Sequence, residues 1–173
     1  PEELSQSHPL SIMAGKLLPY WISGTLTFFL TISAAIYFFN IPGRASLPSL
    51  LLLSSTFIFA AVSLGAFLAS LCHSELTFTR LSIAYTVPAF VLSGYTWPLE
   101  AMDRAGRIIS YTFPLSYFSN TLRELMLAGY SPVLYQNSMI LFLIATSLFS
   151  MTIMCYSHRK SHTDTKEQVP YQP

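Results

Sequence analysis

Charge is scarce in this chain. Asp, Glu, Lys and Arg make up 10% of the residues, whereas a typical soluble domain carries about 25%. The net charge of +1 excludes the clustered positive charge that a nucleic-acid surface needs. The only cysteines, Cys72 and Cys155, are too few for a disulfide framework. Hydrophobic residues reach 52%, and this composition is typical of a protein that is solvated largely by lipid.

Motifs that mark a catalytic or nucleotide-binding site are also absent from the sequence. The chain has no HExxH, GxSxG, GxxxxGK[ST] or CxxC pattern. These patterns supply a zinc site, a nucleophile elbow, a phosphate-binding loop and a dithiol centre, respectively. We therefore expect no catalytic residue, metal or cofactor in this chain, and any ATP that is used should be bound by another chain.

Four stretches without Lys, Arg, Asp or Glu run through the sequence, each about as long as a bilayer is thick. The hydrocarbon core takes roughly 20 apolar residues per helix. The fold class that follows is an all-α membrane protein with four transmembrane helices. The predicted spans are residues 17–39, 49–71, 81–98 and 135–156.

The third predicted span is interrupted by Pro88, Gly94 and Pro98. Proline removes a helix hydrogen bond, so the segment is expected to bend or break where neighbouring groups satisfy the freed carbonyl. Residues 99–131 mix charged and apolar side chains and contain several Pro and Gly. They predict two short helices of a re-entrant or interfacial segment before the last span.

The second of these short helices has sequence signals at both ends. Thr121 and Glu124 fit a capping box, which would start the helix there. Gly129 and Pro132 would stop it.

The second span carries small residues at four-residue spacing: Ala61, Gly65 and Ala69. Such a stripe lets another helix approach closely. Packing within this chain is the favoured interpretation, and dimerisation through the stripe is the alternative.

Four spans place both chain ends on one side of the membrane. Arg159 and Lys160 directly after the last span favour a cytoplasmic location for both ends, and this orientation puts the two cysteines on the reducing side. Residues 157–173 would form a polar cytoplasmic tail. Because the sequence opens on Pro1, we expect it to be a piece of a longer protein.

Ionisable and aromatic residues near the span ends are the candidates for a functional site. Solvation at the interface explains most of them, but Arg123 stands in an apolar run and is expected to anchor the re-entrant region. Tyr95 and Trp97 fit either an aromatic belt or a path for an amphipathic substrate. An intramembrane lipid-modifying enzyme is the alternative function. It requires that at least two of five residues converge within hydrogen-bond reach in one cavity: His73, Glu75, Arg80, Arg123 and Glu124.

The order of several short motifs resembles a known pattern. The strongest block is SGYTWPLEAM at residues 93–102, followed by FPLSYF at residues 113–118 and then by Arg123 and Gly129. It resembles the carboxyl-terminal half of the membrane subunit of type-2 ATP-binding-cassette (ABC) exporters. The Met102-Asp103 pair departs from the Met-Pro that many relatives have.

The resemblance implies the last four spans of a six-span permease in a bacterial plasma membrane. Such a permease moves a drug-like, lipid-like or other amphipathic substrate outward by alternating access. The implied partners are cytoplasmic ATPase subunits that bind ATP and Mg, a second permease subunit and the lipid bilayer. The second permease subunit is either identical or different. The resemblance is also compatible with a periplasmic adaptor as a further partner. A membrane scaffold or assembly subunit is a further alternative.

The resemblance also implies roles for particular residues. The ATPase-coupling segment would comprise Pro9, Ile12, Met13, Gly15 and Lys16. The re-entrant turn and substrate pathway would comprise Ser93, Gly94, Tyr95, Trp97, Pro98, Pro114, Tyr117, Arg123 and Gly129.

Overall fold

The computed structural model describes residues 9–72 and 74–167, and the secondary structure in this part of the chain is helical. The first three helices are α1 (Pro9–Phe39), α2 (Leu47–Leu71) and α3 (Glu75–Val91). A 3₁₀ turn at Leu99–Ala101 precedes the last three: α4 (Arg104–Ser110), α5 (Pro114–Ala128) and α6 (Leu134–Glu167). The all-α fold class is confirmed.

Three helices in the described residues are long and apolar enough to cross a membrane. They are Met13–Phe39, Leu47–Leu71 and Leu134–Tyr156, and they match the first, second and fourth predicted spans. α6 continues past the last predicted span to Glu167, so residues 157–167 of the predicted polar tail extend this helix. Extending a formed helix costs far less than nucleating one, and residues 157–167 contain no Gly or Pro to stop it. Residues 168–173 of the predicted tail lie outside the described residues.

The third predicted span has different boundaries from those expected. α3 covers Glu75–Val91 and ends before Pro98, and its 17 residues extend about 25 Å, less than the roughly 30 Å hydrocarbon core. Ser74 sets the early start, because its hydroxyl accepts a hydrogen bond from the Thr77 amide at 3.2 Å. Pro88 was expected to bend or break the helix, but it lies inside α3, which continues past it to Val91. The chain leaves the helical conformation only at Leu92.

The centre of the molecule is the pair formed by α2 and α6, which share the most extensive contact between helices. Their facing sides bury Leu53 and Ala60 of α2 against Leu141 and Ala145 of α6. Both helices begin at the same end of the bundle, where the backbone amide of Arg44 donates to the Met126 carbonyl at 3.4 Å. We call this the Arg44 end.

α5 packs against α2 and α6 from the Arg44 end to the middle of the bundle. Near its start, the Phe118 ring stacks on Phe57 with centroids 4.1 Å apart and also contacts Phe28 of α1 edge-on at 5.8 Å. Phe57 is ten residues into α2, about 15 Å from its first residue. The amino-terminal end of α5 therefore lies beside the middle of the longest apolar helices.

Several threonine hydroxyls inside the long helices are satisfied by their own helix, whereas the buried hydroxyls of Ser63 and Ser138 have no partner among the described residues. Thr25, Thr56 and Thr152 donate to carbonyls one turn earlier, those of Trp21, Leu52 and Leu148, at 2.8–2.9 Å. This pairing removes the need for water, which the hydrocarbon core does not provide. Helices with many Ser and Thr therefore remain compatible with lipid.

The packing interpretation of the small-residue stripe on α2 is not what the structure shows. Ala61 and Ala69 are exposed, and a Cβ added to Gly65 would meet nothing within 4 Å. Ala61 and Gly65 instead line a groove between α2 and α3, because the buried side of α2 is the one that carries Leu53, Ala60 and Ser63.

Candidate functional site at the end of α3

The chain leaves the helical conformation just after α3, and this creates the candidate site. Gly94 has φ +81°, a left-handed conformation that glycine adopts without strain. The carbonyls of Leu92, Ser93 and Gly94 follow the last residue of α3, so they have no helical amide to bind. A buried carbonyl left without a donor costs free energy, so the partners of these three groups define the local structure.

Serine hydroxyls from the next two helices bind the first of these carbonyls. Ser110 at the end of α4 donates to the Leu92 carbonyl at 2.6 Å. The Ser116 hydroxyl, in the first turn of α5, lies 3.3 Å from the same carbonyl oxygen and 3.0 Å from the Ser110 hydroxyl oxygen, and its one proton can be donated to either. Both serines are fully or almost fully buried. This pair ties the end of α3 to the turn that joins α4 and α5.

The next two carbonyls are bound by side chains further along α5. Ser119 donates to the Ser93 carbonyl at 2.7 Å, and the Asn120 amide lies 3.5 Å from the same oxygen. Arg123 donates from its guanidinium to the Gly94 carbonyl at 3.3 Å and lies over the Tyr95 ring, 6.0 Å from its centroid. The structure thus brings Ser93, Gly94 and Arg123 together, three of the residues selected from the sequence.

The carbonyl-binding residues of α5 form one polar stripe that the sequence interpretation missed. Ser116, Ser119, Asn120 and Arg123 occupy positions i, i+3, i+4 and i+7, so they lie on one face of the helix. The spacing of these polar residues within an apolar segment is the sequence signal from which the stripe could have been predicted.

The opposite face of α5 binds α6, and it shows why the predicted capping box is wrong. Thr121 lies in the middle of α5, where its hydroxyl accepts from the Asn137 amide of α6 at 2.7 Å. Glu124 accepts a hydrogen bond from Ser131, just before α6. The helix instead begins at Pro114, which fits the first helical position because it needs no amide partner. Gly129 caps the helix with φ +77°, which confirms the predicted stop.

The segment between α3 and α4 carries the remaining aromatic and proline candidates. Tyr95 is 67% exposed and Trp97 is 47% exposed, so neither is buried by this chain. Pro98 precedes the 3₁₀ turn, and its carbonyl accepts a hydrogen bond from the Ala101 amide at 3.0 Å. Arg107 of α4 donates to the Leu99 carbonyl at 3.2 Å, which holds this segment against α4.

Pro114, Tyr117 and Gly129, the last members of the predicted pathway, lie along α5. Pro114 is buried at its first position, and Tyr117 donates from its hydroxyl to the Tyr111 carbonyl at 2.9 Å. A Cβ added to Gly129 would be 3.0 Å from the Arg44 carbonyl oxygen. Tyr117 therefore stabilises the turn before α5, and Gly129 allows close contact at the Arg44 end.

An apolar groove of about 450 Å³ lies between α1 and α5 beside this site. Ile32 and Ala35 of α1 form one wall, and Phe118 and Leu122 of α5 form the other. Arg123 is the charged residue in its lining, and Ser93, Tyr95 and Ser119 are also part of it. A volume of 300–1,000 Å³ is typical of sites that bind small molecules.

The convergence that an intramembrane enzyme requires is not found in the described residues. Glu75 lines a shallow pocket with Cys72 at the start of α3. Arg123 and Glu124 bind partners on different faces of α5. His73 lies outside the described residues. Where the structure describes side chains, no group of three or more His, Cys, Asp or Glu is placed to hold a metal ion.

The predicted ATPase-coupling segment is continuous with the first span. Pro9, Ile12, Met13, Gly15 and Lys16 all lie in α1, which runs without a break to Phe39. Gly15 and Lys16 are exposed, and a Cβ added to Gly15 would meet nothing within 4 Å. Gly15 and Lys16 are therefore not covered by any other described residue of this chain.

The sequence matches the family described as "ABC-2 family transporter protein" over residues 4–154. This match covers most of the chain. The chain belongs to the ABC-2 transporter family. The family resemblance inferred from the motifs is therefore confirmed, and an ABC transporter permease is the class of protein that it supports.

Three relatives illustrate the similarity of this ABC-2 chain. It is 30% identical over 134 residues to "Probable multidrug ABC transporter permease YbhS" of Escherichia coli, covering 77% of this chain and 35% of that protein. YbhR of the same organism, described in the same words, is 24% identical over 149 residues, with coverage of 86% and 40%. "ABC transporter G family member 20" of Dictyostelium discoideum is 26% identical over 113 residues, with coverage of 65% and 15%. No solved structure matches the chain significantly.

The chain thus spans little more than a third of the length of the bacterial permeases that it matches.

Proposed function

We propose that this chain is the carboxyl-terminal half of a permease subunit in an ATP-driven ABC exporter. The permease moves an amphipathic compound, drug-like or lipid-like, out of the cell across the plasma membrane. Cytoplasmic ATPase subunits bind ATP and Mg and hydrolyse ATP, and a second permease subunit completes the pathway. Membership of the ABC-2 family and the names of the bacterial relatives support this assignment.

The binding of the Leu92, Ser93 and Gly94 carbonyls, just after α3, by side chains of α4 and α5 is the observation that carries the proposal. Non-helical backbone at membrane depth is tolerated only where it is buried in protein or lines a water-filled cavity. Here Ser110, Ser119 and Arg123 provide the hydrogen bonds that water or lipid cannot. A broken helix held in this way is suited to a transport pathway. It places polar backbone at membrane depth without the free-energy cost of unsatisfied carbonyls.

The proposed topology has four crossings and one re-entrant hairpin formed by α4 and α5. Phe113, between these helices, contacts Tyr85 with ring centroids 5.4 Å apart, and Tyr85 is ten residues into α3. The hairpin therefore reaches the level of the middle of α3 and returns to the Arg44 end with α5. These contacts support a segment that enters the bilayer from one side and leaves on the same side.

The Arg44 end is proposed to face the outside of the cell. This orientation places Cys72 and Cys155, both free thiols, toward the cytoplasm. It also places the amino-terminal turns of α1 on the cytoplasmic side, where the exposed Gly15 and Lys16 contact the ATPase. Closure of the ATPase would then move α1 between two packed arrangements and give alternating access.

Transport by the reconstituted complex tests this function. The complete permease and its ATPase, placed in proteoliposomes, are expected to move a lipophilic fluorescent dye only when ATP is hydrolysed. The controls are a non-hydrolysable ATP analogue and proteoliposomes without the ATPase, and both should show background rates. Equal dye movement with and without ATP hydrolysis would contradict the proposal.

A further inference from the structure

The groove between α1 and α5 combines an apolar lining with a single guanidinium. Ile32, Ala35, Phe118 and Leu122 supply apolar surface, and Arg123 adds a positive charge. The Arg123 side chain is exposed in this chain. A charge beside apolar walls favours a ligand that has both properties, because each part of the ligand finds its complement.

Within the part of the chain that the structure describes, the contacts of Arg123 leave most of its hydrogen-bonding capacity free for a ligand. A guanidinium has five N–H donors, and the bond to the Gly94 carbonyl uses one of its nitrogens. Glu124, the acidic neighbour in sequence, accepts from Ser131 on another face of α5. The charge of Arg123 is therefore not neutralised by Glu124, and its remaining donors match the oxygens of an anionic group.

The position of Arg123 along the bundle matches the orientation of an amphiphile. Met126, three residues later, contacts the Arg44 backbone, so Arg123 is within one turn of the Arg44 end. Phe118 lies deeper, beside Phe57 in the middle of α2. A headgroup at Arg123 would thus sit near the interface, with its apolar body directed along the groove toward Phe118.

We propose that this groove binds a single-chain amphiphile with one anionic headgroup, and that Arg123 binds the headgroup. The inference rests on the proposed exporter function and specifies the substrate class as fatty-acid-like. The groove of about 450 Å³ has the size of a small-molecule site. Arg123 is a specificity-determining residue in this scheme, and Ser93 and Ser119 supply further polar atoms to the lining.

Binding of a charged and a neutral form of the same probe tests the role of Arg123. The complete permease with its ATPase is placed in nanodiscs of phosphatidylcholine, and dansyl-undecanoic acid is compared with its primary amide. We expect the wild type to prefer the acid by roughly tenfold to a hundredfold, the range of one charge-assisted hydrogen bond. Arg123→Gln should abolish the preference for the acid, and retained binding of the amide shows that the variant is folded.

Arg107 provides a matched control, because it too donates from its guanidinium to a backbone carbonyl but does not line the groove. Arg107→Gln should keep the preference for the acid, and Arg123→Lys should keep most of it because the charge remains. A preference that survives Arg123→Gln, or that is lost equally in Arg107→Gln, would overturn the inference.

A lipid arm separates the proposed substrate from an anionic membrane lipid. Nanodiscs with added phosphatidylglycerol should bind the acid probe as well as those of phosphatidylcholine alone. Displacement of the probe by phosphatidylglycerol would identify a lipid site and overturn the substrate assignment. Dye transport by the same purified complex in proteoliposomes keeps the two proposals distinct. ATP-driven transport with no selective binding of the acid refutes the inference alone, whereas loss of ATP dependence refutes the exporter function.

Discussion

At the scale of single residues, Gly94 occupies a position that only glycine fills without strain. Its φ of +81° is strained for any residue with a side chain, and an added Cβ would lie 2.9 Å from atoms of the Asn120 side chain. Asn120 is held in place by its own bond to the Ser116 carbonyl at 2.8 Å. A side chain at position 94 would therefore disturb the stripe on α5 that binds the α3 carbonyls.

Substitution of Gly94 is expected to weaken both stability and transport. Gly94→Ala should cost about 1–2 kcal/mol for the left-handed backbone alone, and Gly94→Leu should abolish transport while membrane insertion persists. The measurements are the melting temperature in detergent and ATP-driven dye efflux. Gly65→Ala is the matched control, since its Cβ meets nothing within 4 Å and Ala favours a helix by up to about 1 kcal/mol. Equal effects of the two Ala substitutions would refute this account.

Features that depend on neighbouring residues were predicted correctly from the sequence, whereas contacts between distant residues were not. Gly129 was identified correctly as a helix stop, because a glycine cap is a property of a few consecutive residues. Thr121 was misassigned, because its partner Asn137 is 16 residues away and belongs to α6. Ser119 was missed for the same reason, since its partner is Ser93 at a separation of 26 residues.

At the scale of elements, the pair α4 and α5 is the feature that distinguishes this fold from a plain bundle. Its turn contacts the middle of α3 through Phe113 and Tyr85, and its far end contacts Arg44. α4 has only seven residues, so it cannot cross a bilayer alone.

Spin labels can measure how deeply this pair enters the membrane. In a background without thiols (Cys72→Ser and Cys155→Ser), Thr112→Cys labels the turn before α5 and Tyr130→Cys labels the turn after it. We expect the label at residue 112 to lie about 15 Å deeper than the label at residue 130, the depth of Phe57 along α2. Depth is measured from the relative accessibility to oxygen and to a polar nickel reagent.

Asn40→Cys, in the loop before α2, is the reference for this experiment. It should give a shallow position, like residue 130, because both turns lie at the Arg44 end. Equal depths at residues 112 and 130 would show that the pair lies flat at the interface, which would exclude the re-entrant hairpin.

At the scale of the whole molecule, α1 depends on few contacts within this chain. None of the residues in its most apolar window is buried, whereas a third of those in α2 are. Trp21 donates to the Ser55 carbonyl at 3.0 Å, and Phe28 packs on Phe118. The helix predicted to receive the motion of the ATPase is thus the long helix least fixed by its neighbours, which suits an element that moves.

Phe118 joins α1, α2 and α5, so its loss should destabilise the whole bundle. Phe118→Ala is expected to cost about 3–5 kcal/mol, since Phe118 is only 8% exposed and contacts both Phe57 and Phe28. Thermal unfolding in detergent measures this change. Phe38→Ala is the control, because Phe38 is 74% exposed and should change stability little. Similar melting temperatures for the two variants would show that Phe118 does not join the three helices.

The sequence by itself determined the all-α class, the three helices that are long and apolar enough to cross a membrane, and the family. Transfer of an apolar segment into lipid is favoured by a sum over consecutive residues, so segments such as Leu47–Leu71 are readable without any knowledge of their neighbours. Only the tertiary structure decided where α3 ends, which α5 residues bind its carbonyls, and that Arg123 borders an apolar groove. The reason is physical: a hydrogen bond depends on the distance and angle between two groups, and folding sets both for groups far apart in the chain.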